Sequence, residues 1–153
     1  RNIPPIVQLF FWYFAVGLDS LAGAVVGLSV YSSTYIGETV RSGFRSIPIT
    51  QIESARSTGL SFFQSISRVV FPQAMTRMIP ALSVESLNVI KNSSLATAIG
   101  YPDLVSVFAG TTLNQTGQAI EVIMMTMAVY LVISLTVSFL MNLYNARTLL
   151  KER

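Results

Sequence analysis

Thr50-Gln51-Ile52-Glu53-Ser54-Ala55-Arg56-Ser57-Thr58-Gly59-Leu60-Ser61-Phe62-Phe63-Gln64-Ser65-Ile66-Ser67-Arg68-Val69-Val70-Phe71-Pro72 is the only long stretch here that reads as water-facing helix rather than membrane span or loop. Thr50-x-x-Glu53 and Ser61-x-x-Gln64 both have the form of a capping box, in which a hydroxyl and a carboxyl or amide side chain satisfy the first free amides of a helix. Gly59 stands where a helix C-terminus favours a left-handed residue, and Pro72 reads as a stop. The spacing therefore predicts two short helices, about 51–58 and about 62–70, joined by a tight turn at Gly59-Leu60. The second is expected to bury Phe62, Phe63, Ile66, Val69 and Val70 on one face and to show Ser65 and Arg68 on the other.

Working outward, the flanks are apolar. The chain has 153 residues, 52% hydrophobic and only 11% charged, where soluble domains average about a quarter charged. That composition predicts an all-α membrane protein. Cys and His are both absent, which removes disulfides, thiol nucleophiles, imidazole bases and the usual zinc ligands. No catalytic constellation stands out. The net charge of +3 does not point to nucleic acid, because the basic residues border apolar spans instead of forming a stripe with aromatics. The chain opens at Arg1 with neither methionine nor signal peptide, and so reads as the C-terminal part of a longer protein.

Four spans are expected, about 4–18, 21–41, 74–97 and 120–146, within one domain over 1–153, with a loop over 42–72. Charge orients them. Arg41, Arg45, Arg56, Arg68 and Arg77 cluster around the loop, and Arg147, Lys151 and Arg153 close the chain. Both regions are expected in the cytoplasm, with two spans between them. The connection over about 98–120 holds Asp103 and no Lys or Arg, as an outer-face segment should. Gly23-x-x-x-Gly27 either allows close helix approach or is a pair of ordinary small residues.

The span after the loop carries Glu85 and Lys91, although a charge near the bilayer centre is costly and belongs against protein or a water-filled cavity. Glu85, Asn88 and Asn92 share a helix face by their spacing. An amino-acid zwitterion needs an acceptor for its ammonium, which Glu85 offers, and donors for its carboxylate, which Asn88, Lys91, Ser93 and Ser94 offer. Glu85 and Lys91 are equally readable as structural charges held by neighbours; six positions apart, they should not pair directly. Gln8 in the first apolar helix either lines a pathway or bonds a neighbouring helix. No G-x-x-x-x-G-K-[ST] sequence occurs, so the chain has no phosphate-cradling loop of its own.

The central stretch resembles the cytoplasmic loop of the membrane subunits of bacterial ABC importers, which reads E-A-A, three residues, G, nine residues, I-x-L-P. Here it stands as Glu53-Ser54-Ala55, three residues, Gly59, nine residues, then Val69-Val70-Phe71-Pro72. Ser54, Val69 and Phe71 are conservative departures. The opening Arg1 to Phe11, with Asn2 and Ile3 departing, and Ser33 to Arg41 resemble the polar amino-acid uptake family. Lys91-Asn92-Ser93-Ser94-Leu95, Gly100-Tyr101-Pro102-Asp103-Leu104-Val105 and Leu113-Asn114-Gln115-Thr116-Gly117-Gln118 look like its general L-amino acid permease branch.

The resemblance covers nearly the whole chain. It implies a type I ABC importer permease bundle in the bacterial inner membrane, a transporter subunit and not an enzyme. It further implies a cytoplasmic ATPase subunit that uses ATP and Mg, a periplasmic amino-acid-binding protein and a second, related permease subunit. This chain is expected to hold no cofactor and, beyond surrounding lipid, no other partner class. The coupling role falls on Glu53, Ser54, Ala55, Gly59, Val69 and Pro72. In related permeases a carboxylate at the position of Glu85 goes with cationic substrates. The rival reading is an ion-coupled secondary transporter using Glu85 or Lys91, which leaves the two capped helices without a purpose; a structural membrane anchor leaves both features idle.

Overall fold

The computed structural model describes residues 1–149, with side chains through residue 146. The expected cytoplasmic terminus marked by Arg147, Lys151 and Arg153 thus lies outside the described side chains. Among the described residues there are helices and connections but no strand.

Helix α1, Pro5–Phe10, continues through a π turn over Phe11–Ala15, about 16 Å in all and shorter than the 4–18 expected. Gly17, at φ +79°, turns the chain. Asp19 then starts α2, Ser20–Arg45, its carboxylate accepting from the amides of Leu21 and Ala22 at 3.0 Å. The glycine pair is used: a Cβ on Gly27 would stand 3.3 Å from Leu9 Cα, and one on Gly23 would stand 3.6 Å from Tyr13 Cα. Two helix backbones meet there because neither glycine carries a side chain.

After α2 come α3, Ile49–Ser57, and α4, Phe62–Ser65. A π turn over Ile66–Val70 carries α4 directly into α5, Phe71–Asn92. A 3₁₀ segment, Ser93–Ile99, ends at Gly100 with φ +76°. Asp103 caps the next short helical run, its Oδ1 accepting from Ser106 N at 2.8 Å; this run passes through a π turn, Ser106–Thr112, into α6, Leu113–Thr116. Helix α7, Ala119–Leu149, closes the described chain. Over Ala119–Ala146 it is the one described helix long and apolar enough to cross a membrane, and it is apolar all round, as a lipid-facing span is.

Helices α2 and α5 form the central pair, with α1 on α2 and α7 on α5. Two buried clusters fasten them. Leu9, Ala24, Ala96 and Ile99 join α1, α2 and the 3₁₀ segment. Ile47, Val70, Ala74 and Met78, flanked by Phe44, Ile52 and Ile66, join the base of α5 to α3 and the end of α2.

Three local expectations are corrected. Pro48, with φ −60° and ψ 140°, caps α3 from outside and starts it at Ile49; its cap has no side-chain bond, so Thr50 and Glu53 lie inside the helix instead of forming a capping box. Pro72 does not stop its helix. The π turn before it shifts the bonding, with Phe71 N–H reaching Ile66 O five residues back, and a proline at the start of the following α-helical ladder has no amide to lose. Pro80 likewise lies inside α5 without ending it. Finally, Phe62 and Phe63 are exposed, the latter by 82%, while Ser65 is fully buried, because the packed face of this helix runs through Ser65, Ile66 and Val70 toward α3 and α2. The 42–72 loop therefore starts inside α2 and ends inside one continuous rod.

Candidate coupling and translocation sites

The coupling candidates sit on a braced corner. Ser61 makes the expected capping box: its Oγ accepts from Gln64 N at 3.4 Å while Gln64 Oε1 accepts from Ser61 N at 2.9 Å. Gly59, at φ +89°, lets the chain fold back, with Leu60 N donating to Ala55 O at 3.3 Å. Thr58 Oγ1 donates to the same carbonyl at 2.7 Å. Ala55 is buried, whereas Glu53, Ser54, Gly59 and Pro72 face outward and Val69 is half-buried. Gln73 Nε2 bridges the two elements, donating to Gln51 Oε1 at 3.4 Å and to Val69 O at 3.1 Å. Arg77 donates to Ser46 O and so ties the base of α5 to the end of α2. The short helices are thereby fixed to the rod they lead into.

Some 20 residues along that rod, about 30 Å of rise, lies Glu85. It is 8% exposed and turned toward α2, close enough to Tyr31 to interact electrostatically. Asn88 Nδ2 donates to its Oε2 at 3.3 Å, while Oε1 is buried without a hydrogen-bond partner. On α2, Ser32 is buried with its hydroxyl equally unpartnered. A buried carboxylate oxygen with nothing to accept from is an expensive arrangement that a cationic group would relieve.

Lys91 is elsewhere. It lines a groove of about 500 Å³ with Ser94, Thr126, Tyr130 and Ser134, between the end of α5 and α7. Tyr130 lies beside Ser93, Ser94 and Asp103. Ser93 and Ser94 donate their hydroxyls to Ile90 O and Lys91 O at 2.7 Å, so they face a ligand as acceptors. Gln8 lines another groove, with Trp12 and Thr34, and donates to Ile3 O at 3.3 Å. The structure thus brings Glu85 and Asn88 together, groups Lys91 with Ser94, and leaves Gln8 apart; within this chain the six do not share one cavity. Among the described residues, no cluster of three or more acidic side chains is built to hold a metal ion.

The family model described as "binding-protein-dependent transport system inner membrane component" matches residues 1–150. The chain belongs to this family. Among relatives of this inner membrane component, a putative amino-acid ABC transporter permease protein, YhdX of Escherichia coli (strain K12), is 55% identical over 152 residues, 99% of this chain and 39% of that protein. The glutamate/glutamine/aspartate/asparagine transport system permease protein BztB of Rhodobacter capsulatus is 44% identical over 89% of this chain and 32% of its own length. The general L-amino acid transport system permease protein AapQ of Rhizobium johnstonii is 46% identical over 86% of this chain and 35% of its own. The chain therefore spans 32–39% of the length of these relatives. A crystal structure of an amino acid ABC transporter with histidines superposes with a TM-score of 0.86 at 30% identity, over 96% of this chain and 71% of that one. The fold is that of an all-α ABC importer permease.

Tyr31, Ser32, Thr126, Tyr130 and Ser134 join these sites only through the fold and are not among the residues that the sequence alone marks out. Tyr130 carried a usable signal, a polar-tipped ring within an otherwise apolar helix. Ser32 did not, since neighbouring serines at 29 and 33 mask which one turns inward.

Proposed function

We propose that this chain is the membrane-spanning core of a permease subunit in an ATP-driven importer of amino acids. A cytoplasmic ATPase subunit, which alone uses ATP and Mg, docks on the corner formed by α3 and α4, around Glu53, Ser54, Ala55, Gly59, Val69 and Pro72. A periplasmic binding protein delivers the amino acid, and a second permease subunit completes the pathway. Glu85 and Asn88 receive the ammonium or a cationic side chain; Lys91, with Ser93 and Ser94 behind it, meets the carboxylate further out, and Gln8 borders the path. In this arrangement the chain is multi-pass in the inner membrane, with 42–72 and the C-terminus in the cytoplasm.

The observation that supports this reading best is the unbroken helix from Phe62 to Asn92. The docking corner and the buried carboxylate ride on one helical run, so a push at the corner reaches Glu85 along continuous backbone. An ion-coupled carrier has no use for that connection, and the relatives named above are ABC permeases. The test is ATP hydrolysis and uptake by the whole purified transporter in vesicles. Loaded binding protein should stimulate hydrolysis, and Gly59→Asp, which places a side chain at φ +89°, should uncouple hydrolysis from uptake. Accumulation driven by an ion gradient with the ATPase absent would overturn the proposal.

A further inference from the structure

We infer that the cleft between the end of α2 and the base of α5 seats the phosphate group of an anionic lipid. The cleft is small, about 160 Å³, and is lined by Thr39, Ser42, Ser46 and Arg77 over a floor of Gly43, Met78 and Ala81. Arg77 is exposed and commits one of its five donors to Ser46 O, leaving others for a phosphate oxygen. Thr39 and Ser42 add hydroxyls, whereas the Ser46 hydroxyl is already spent on Gly43 O at 2.6 Å. Arg41 and Arg45 raise the positive potential at the same helix end. The nearest acid in sequence, Glu38, adjoins Thr39 and stands one turn before Ser42 on α2, against the three arginines.

Level and surroundings favour a lipid over a dissolved anion. Thr39 lies about 29 Å along α2 from Ser20, the thickness of a hydrocarbon core, so the cleft stands at headgroup depth. Toward the bilayer centre the same helix faces turn apolar and open: Ile36, three residues before Thr39, is 39% exposed, and Val84, two turns beyond Arg77, is 59% exposed. A polar seat at one end of an uncovered apolar strip has the shape of an amphiphile. Basic pockets between spans on the cytoplasmic side are the usual receptors for such headgroups. The assignment of that side rests on the proposed orientation.

The test uses the whole purified transporter in nanodiscs of equal phosphatidylglycerol and phosphatidylcholine, with retained lipid counted by native mass spectrometry in the absence of ATP. Wild type should retain phosphatidylglycerol preferentially. Arg77→Gln should lower that preference about fivefold, the effect of one arginine near an anionic surface. Ser42→Leu, which fills the cleft and spares the Arg77–Ser46 bond, should lower it as far. Arg45→Gln removes a charge outside the cleft that acts only through the surface potential, and it should change the preference less than Arg77→Gln does. Equal retention of the two lipids by wild type, an unchanged preference in Ser42→Leu, or an equal loss in Arg45→Gln would overturn the inference. So would displacement of the lipid by millimolar inorganic phosphate, which would make the cleft a seat for a soluble anion. ATP-driven uptake measured on the same sample stands or falls separately.

Discussion

Gly43 has the least room of the glycines. A Cβ there would lie 2.1 Å from Met78 Cγ, so Gly43→Ala forces the α2–α5 base apart. Overpacking of this kind costs about 1–3 kcal/mol, and thermal unfolding of the detergent-solubilised protein should fall accordingly. Met78→Ala in the same chain should recover part of the loss, and an unaltered unfolding temperature in Gly43→Ala would show that the helices are not pressed together there. Glu85 is tested by transport. Glu85→Gln keeps the shape and the Asn88 contact but removes the charge; a hydrogen bond to a charged group contributes about 1.5–3 kcal/mol, so the apparent affinity for a transported amino acid should weaken about tenfold or more. Glu85→Ala with unchanged affinity for every amino acid would remove this carboxylate from the pathway.

The α3–α4 corner should move with α5 as one piece. Gln51 and Gln73 touch across it, so a short cross-linker between Gln51→Cys and Gln73→Cys should leave ATP-driven uptake intact; loss of uptake with hydrolysis preserved would show that the corner flexes during the cycle. Much of this corner was legible beforehand. Gly59 and the Ser61-x-x-Gln64 box were readable because each is a local signal, set by one backbone angle or one pair of side chains. The Thr50-x-x-Glu53 box misled because Pro48 offered an earlier start with its own fixed φ. Pro72 misled because proline breaks a helix only if the ladder before it is α-helical, and here it is not. Phe62 and Phe63 were assigned to the interior on hydrophobicity alone, although which face is covered depends on α2 and α3, elements remote in sequence. The candidate site was harder still. Glu85 and Lys91 announced themselves by cost, but their separate surroundings are set by how α2 and α7 flank α5.

The permease bundle as a whole makes a topological commitment. The chain contains no cysteine, so an introduced thiol labels without ambiguity. In sealed cells or vesicles, Ser57→Cys should react only with reagent on the cytoplasmic side and Gln115→Cys only with reagent on the outer side; the reverse pattern would invert the arrangement. The π turn over Ile66–Val70 has a consequence for this architecture. A π turn holds one residue more than the α-helical turn it replaces, so it sets the angular phase between everything before it and everything after. Letting the same residues close as ordinary α-helix with none removed would swing the Phe62–Phe63 side of the rod by about 100° against Glu85 while lengthening it by only about 1.5 Å, and deleting one residue would restore the phase. The extra residue works as a keyway, determining which way the inner end points when the outer end faces its cargo.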